Sequence, residues 1–151
     1  MQIVVSPESI KVSDHERATG VIYFADHQAA FPEVGWNDFV DVLLVEWSRQ
    51  LLGFAQNKTE QITLRFMDGP FAVRLSREAG GCKAYFERGD RAVVRANFIE
   101  VAELMKSLVI ATTALLENPS FLTQMPRESS ELRTVLNELQ RAVVRTSPTK
   151  S

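Results

Sequence analysis

The stretch from Ile62 to Leu75, ITLRFMDGPFAVRL, decides the fold of this chain. Apolar and polar residues alternate over Ile62–Phe66 and again over Phe71–Leu75, which is the period of a strand with one buried face. Between the two runs, Asp68-Gly69 supplies the positive φ angles of a tight turn, and Pro70 then removes an N–H group. The pattern predicts a β-hairpin.

Further strands extend this hairpin along the chain. Lys83–Arg88 turns through Gly89-Asp90 into Ala92–Ala96, which completes an antiparallel meander. Three short runs rich in Val, Ile and aromatic residues predict strands in the first 25 residues: Gln2–Val5, Ile10–Ser13 and Thr19–Ala25.

The segment NDFVDVLLVEWSRQLLGF, which starts at Asn37, is apolar around most of a helical circumference and predicts a largely buried helix with Asn37 as its N-cap. Its polar surface falls to the few remaining side chains, namely Asp38, Asp41, Glu46, Ser48, Arg49 and Gln50. A second helix follows a capping-box pattern, Asn97 to Glu100, and ends at Pro119. A third, amphipathic helix begins near Ser129 or Ser130.

These elements predict an α+β fold in which an antiparallel meander packs against two to three α-helices, arranged as a single layer on one face. With 151 residues, 45% hydrophobic and 24% charged, the chain is long enough for one well-packed domain. We expect that domain to cover residues 1–145 and a disordered tail to cover residues 146–151.

The sequence predicts an intracellular protein without a membrane span. The opening residues lack a basic region and a long apolar run, and three charged residues interrupt the apolar stretch Phe98–Leu116. The lone cysteine, Cys82, excludes an internal disulfide and fits a reducing compartment such as the cytoplasm.

No pattern of catalytic or ligating residues is present in the sequence. The two histidines, His15 and His27, lie in predicted turns, Cys82 reads as a strand residue, and no nucleophile or phosphate-loop motif occurs. We therefore expect a protein that is not an enzyme and needs neither a metal nor a cofactor.

Charge is distributed unevenly. Residues 1–60 carry a net charge of −5 and residues 61–151 carry +3, for a total of −2. No Lys or Arg occurs between Arg17 and Arg49, so the acids there form an acidic segment: Asp26, Glu33, Asp38, Asp41 and Glu46. Arginines and lysines from Arg65 to Arg95 fall on sheet strands, which suits a solvated sheet face; only Tyr85 or Phe86 would offer the exposed aromatic that nucleic acid prefers, so no nucleic-acid partner is expected.

Two segments, FPEVGWNDF over residues 31–39 and FMDGPF over residues 66–71, resemble small bacterial immunity proteins of polymorphic or contact-dependent toxin systems. The resemblance spans roughly residues 18–76. It implies a cytoplasmic protein that binds one cognate secreted toxin domain and blocks it by occlusion. The contact surface that we predict joins the acidic segment to an aromatic anchor: Asp26, Glu33, Trp36, Asp38, Asp41 and Glu46.

Two alternatives stay open from the sequence. One is a non-catalytic adaptor or structural subunit that acts through protein contacts, including a homodimer. The other is a small-ligand domain or an enzyme with an unrecognised site, which would require a concave pocket with converging polar groups.

Overall fold

Two antiparallel sheets and four α-helices make up the computed structural model, which describes residues 1–14, 17–27, 29–89 and 92–146. The α+β class and the antiparallel meander expected from the sequence are confirmed. The N-terminal strands form a separate sheet, and the helical part contains one short helix beyond the three expected.

The first sheet is built around one long strand, β3 (Arg17–Ala25), whose residues alternate between buried and partly exposed positions. Four shorter strands pair antiparallel with it: β1 (Gln2–Val5), β2 (Lys11–Ser13), β4 (Ala30–Phe31) and β5 (Asn37–Phe39). A 3₁₀ turn over Pro7–Ser9 joins β1 to β2.

The second sheet is the predicted meander. Its strands lie in chain order: β6 (Gln61–Arg65), β7 (Phe71–Glu78), β8 (Gly81–Arg88) and β9 (Ala92–Ile99). Arg65 is paired with Ala72 across the Asp68-Gly69 turn, so the predicted hairpin is confirmed. A β-bulge between Phe86 and Glu87 shifts the register against the edge strand β9. In the predicted Gly89-Asp90 turn, Asp90 lies outside the described residues.

The first helix, α1, runs over Val40–Ala55 and begins later than predicted. Asn37 is not its N-cap, because residues 37–39 pair with β3 as a strand before the helix starts. The expected polar surface is also partly wrong: Asp38 is 2% exposed, Asp41 8% and Ser48 0%. These three side chains are buried because β5 is part of the first sheet and α1 packs against the other helices.

The remaining helices are α2 (Val101–Leu116), α3 (Pro119–Gln124) and α4 (Pro126–Thr146). The predicted capping box is wrong, because Asn97 belongs to β9 and Glu100 caps α2 without a side-chain hydrogen bond. The side chain of Asn118 caps α3 by accepting from the N–H of Phe121 at 3.0 Å. The last helix starts at Pro126, ahead of the predicted Ser129 or Ser130.

The core joins both sheets to the helices. Phe24 stacks on Trp47 with ring centroids 5.0 Å apart, and Phe66 meets both rings edge-on. Phe31 bridges to Phe86 of the second sheet at 5.1 Å. Helix α4 packs across α1 and α2. Its N-terminal turns lie beside the first half of α1. Apart from Thr146, where α4 ends, the predicted tail lies outside the described residues.

Candidate protein-interaction surface

Asp38 is an internal hydrogen-bonding centre. Its Oδ2 accepts from the indole Nε1 of Trp36 at 3.2 Å and from the backbone N–H groups of Met67 and Asp68 at 3.1 Å each. Its Oδ1 accepts from the N–H of Phe39 at 2.7 Å. These bonds tie the segment before α1 to the hairpin turn, so the two stretches that carry the immunity-protein resemblance are in direct contact. Asp38 has no free surface to offer a partner.

The side chain of Asp26 also forms contacts within the protein. Its Oδ2 forms an ion pair with Nη1 of Arg95 at 2.9 Å and accepts from Nδ2 of Asn97 at 2.8 Å. Its Oδ1 accepts from the N–H of Ala29 at 3.0 Å. Asp26 thus links the loop after β3 to Arg95 and Asn97 of β9.

Glu33 and Trp36 lie in the loop before β5 but in different surroundings. Glu33 is exposed, as is Val34 at 74%. Trp36 is half-buried, with its ring edge-on to Phe71 at 5.0 Å. The loop is therefore exposed at Glu33 and Val34, while Trp36 packs against the hairpin.

The other two predicted contact residues, Asp41 and Glu46, line a groove between α1 and α4. This acidic groove has a volume of about 240 Å³ and is lined by Asp41, Val42, Val45, Glu46, Glu128 and Glu131. Val42 is 45% exposed, so the groove has an apolar wall beside its carboxylates. Glu131 forms an ion pair with Arg49 at 2.7 Å, and Glu46 accepts from Nε2 of Gln50 at 3.3 Å.

Asp41 is the least satisfied acid of this groove. Its Oδ1 is buried and has no hydrogen-bond partner among the described residues. Burial raises the pKa of Asp41 and nearby Glu128 adds to the rise, while backbone N–H groups of Val42, Asp41 and Ala18 oppose it without cancelling it. An acid in the first turn of a helix is favoured by the helix dipole, but here desolvation outweighs that benefit.

The outer face of the second sheet carries cations over aromatic rings. The guanidinium of Arg74 lies 4.2 Å from the ring centroid of Tyr85, and Nζ of Lys83 lies 5.3 Å from that of Phe98. Phe98 is 56% exposed, whereas Phe86 is fully buried. Phe98 is the exposed aromatic that sequence reasoning missed. Arg74 is neutralised by an ion pair with Glu87 at 3.1 Å.

A larger cavity, about 810 Å³, lies where the ends of both sheets meet the start of α2, and its lining includes Arg77, Cys82 and Glu100. The Arg77 guanidinium donates to the Phe54 carbonyl and lies over its ring. Burial raises the pKa of the Cys82 thiol. The thiol is therefore protonated near neutral pH and is a poor nucleophile, although the volume suits a small ligand.

Of the six predicted contact residues, the structure places two in the groove, two in buried or internally paired positions and two in the loop before β5. Glu128 and Glu131 join the groove from the last helix and were missed. Their signal in the sequence was an acidic start to α4, but nothing local connects residues 41 and 128.

Within residues 1–14, 17–27, 29–89 and 92–146, no cluster of His, Cys, Asp and Glu side chains has the geometry to hold a metal ion. None of the helices in that part of the chain is long and apolar enough to cross a membrane. Comparison with known proteins found no match to a family model, a characterised protein or a solved structure.

Proposed function

We propose that the protein is an immunity protein that binds a cognate secreted toxin domain in the bacterial cytoplasm and blocks it by occlusion. The observation that carries the proposal is the acidic groove between α1 and α4. Four acidic residues line it beside the exposed Val42, and two of them, Asp41 and Glu46, belong to the predicted contact surface.

The groove suits a basic protein surface. Aligned charges of opposite sign steer two proteins together and raise the association rate, while an apolar patch at the centre supplies affinity. Toxins that act on nucleic acids are often basic because their substrate is a polyanion. An inhibitor with a local acidic face competes for such a surface even when its total charge is only −2.

The direct test is co-expression with the protein encoded immediately upstream. We expect host survival to be restored and the two chains to co-purify as a stoichiometric complex. A toxic neighbour that is neither neutralised nor bound would contradict this pairing.

Charge reversal then tests the surface. Glu46→Lys together with Glu128→Lys reverses two acids of the groove and is expected to weaken the complex at least about tenfold. Glu117→Lys together with Glu138→Lys reverses two exposed acids outside the groove and is expected to alter affinity less than about twofold. Equal losses for both variants would place the contact elsewhere.

A homodimeric adaptor is the second candidate, and the edge strand β9 is the observation in its favour. Val93, Val94 and Phe98 are 49%, 56% and 56% exposed on a strand that pairs only with β8 in the described sheet. Exposed edges invite pairing with another chain, but the bulge against β9 is a device that discourages it. If this alternative holds, the mass in sedimentation experiments rises with concentration, and Val94→Lys keeps the protein monomeric.

A further inference from the structure

The acidic groove contains a buried carboxylate, that of Asp41, which no basic side chain of the described residues pairs with. Asp41 is 8% exposed and its Oδ1 has no donor among the described residues. Within that part of the chain, no Lys or Arg forms an ion pair with Asp41, Glu46 or Glu128; the nearby Arg49 pairs with Glu131. A buried carboxylate oxygen without a hydrogen-bond donor costs stability, and a donor from a bound partner would remove that cost.

The shape of the groove limits what completes it. Its volume of about 240 Å³ falls below the roughly 300–1,000 Å³ of pockets that enclose small-molecule ligands, so it fits one side chain better than a whole ligand. Val42 and Val45 offer an apolar wall along which a methylene stem packs. Asp41, Glu46 and Glu128 provide the negative charge at its head.

The chemistry favours a guanidinium group. Among the described residues, no group of three or more His, Cys, Asp and Glu side chains could hold a metal ion. A lysine ammonium is strongly hydrated, so the free-energy cost of desolvating it in a buried site is higher. A guanidinium is more weakly hydrated, and its planar array of N–H donors binds a carboxylate in two places at once.

We propose that the groove between α1 and α4 is the socket for one arginine side chain of the protein partner, with Asp41 as its buried counter-ion. The stem of the arginine lies along Val42 and Val45, and Glu128 faces the guanidinium from α4. This inference rests on the proposed function, because the arginine belongs to the bound toxin. It goes further by naming the chemical group that the partner must present.

A peptide titration tests the socket without the toxin. A capped Gly-Arg-Gly tripeptide is added to isotope-labelled protein, and the methyl signals of Val42 and Val45 are followed by NMR. We expect both to shift and saturate. A capped Gly-citrulline-Gly tripeptide has almost the same shape without the charge and is expected to bind at least about tenfold more weakly.

Two matched variants assign the binding to Asp41. Asp41→Asn removes the buried charge and is expected to weaken the arginine peptide at least about fivefold. Glu138→Gln removes one exposed carboxylate of α4 outside the groove and is expected to leave binding unchanged. Preserved dispersion of the amide spectrum shows that each variant is folded.

Several results would overturn the socket. They are an absence of saturable shifts at Val42 and Val45, equal binding of the citrulline peptide, and unchanged binding by Asp41→Asn. Tighter binding of spermidine than of the arginine peptide would make the groove a site for free polyamines, which also contradicts it. Failure of the proposed function is separate: the toxin complex then does not form, whatever the peptide does. A toxin complex that tolerates Asp41→Asn leaves the function standing and removes the socket.

Discussion

At the scale of single residues, two aspartates on either side of the start of α1 have opposite roles: Asp38 lies in β5 and Asp41 in the first turn of the helix. Asp38 is buried with four donors around its carboxylate, while Asp41 is buried with one oxygen unpartnered. The first arrangement recovers the cost of removing a carboxylate from water. The second does not, and the difference separates a structural acid from a candidate binding acid.

Replacing Asp38 is expected to be severe for stability. Asp38→Ala leaves the N–H groups of Trp36, Met67 and Asp68 without their acceptor, and we expect a loss of about 3 kcal/mol in the free energy of unfolding. Glu33→Ala removes an exposed acid of the same segment and is expected to change it by less than about 0.5 kcal/mol. Urea denaturation measures both. Similar values for the two variants would contradict the internal role of Asp38.

Replacing Asp41 is expected to increase stability, in contrast to replacing Asp38, and the size of the increase is expected to depend on pH. Because its pKa is raised in the folded protein, its contribution to stability is fully present below the ordinary value of 3.8 and is lost as pH rises through the raised pKa. Asp41→Asn is therefore expected to raise the melting temperature at about pH 7, with the gain over wild type shrinking towards about pH 3.5. Calorimetry of both proteins across this range provides the check. A gain that grows on acidification would be inconsistent with a raised pKa.

At the scale of elements, the hairpin of β6 and β7 shows local and tertiary forces acting together. Gly69 has φ of +86°, and an added Cβ would lie 3.1 Å from the Phe71 ring and 3.3 Å from Trp36. The turn therefore needs glycine both for its backbone conformation and for the close approach of the aromatic rings. The same turn receives Asp38 through the N–H groups of Met67 and Asp68.

A pair of glycine substitutions separates these requirements from ordinary flexibility. Gly69→Ala is expected to cost about 1–3 kcal/mol of stability because the residue is strained at positive φ and meets two rings. Gly53→Ala, inside α1 with nothing within 4 Å of the added Cβ besides its chain neighbours and the backbone of its own helix, is expected to stabilise by about 0.5–1 kcal/mol. Chemical denaturation of the two variants gives the comparison. A stable Gly69→Ala variant would show that the turn tolerates another geometry.

At the scale of the whole molecule, the fold redistributes the charge that the sequence separates. The first 60 residues are acidic and the rest are basic, yet Glu128 and Glu131 of α4 lie beside Asp41 and Glu46 of α1. Two acids of the acidic segment, Asp26 and Asp38, form contacts within the protein instead. The acidic groove is therefore formed by the packing of α1 against α4, and it contains only part of the acidic segment.

Electrostatic steering by this groove predicts a salt dependence for the partner complex. We expect its association rate to fall by about tenfold or more between about 50 and 500 mM NaCl, because screening shortens the reach of the carboxylates. The dissociation rate is expected to change much less. Stopped-flow mixing of the purified partners measures the association rate. A Glu128→Lys variant with the same salt slope as wild type would contradict steering through the groove.

The sequence by itself determined the elements whose signals are local. Alternation and the Asp68-Gly69 turn were sufficient for the hairpin, and the continuous apolar circumference was sufficient to bury α1 with Trp47 in the core. Local patterns also predicted the meander, because each strand there pairs with its neighbour in the chain.

Only the tertiary structure decided which acids are available. Whether a carboxylate faces solvent, accepts backbone N–H groups or meets another helix depends on contacts between residues far apart in the chain. Asp38 is satisfied by residues about 30 positions away, and Asp41 is joined by Glu128 across the packing of α1 and α4. The same residue type therefore becomes a hydrogen-bonding centre at one position and a candidate socket at the other, because desolvation and donor supply are set by the packed fold.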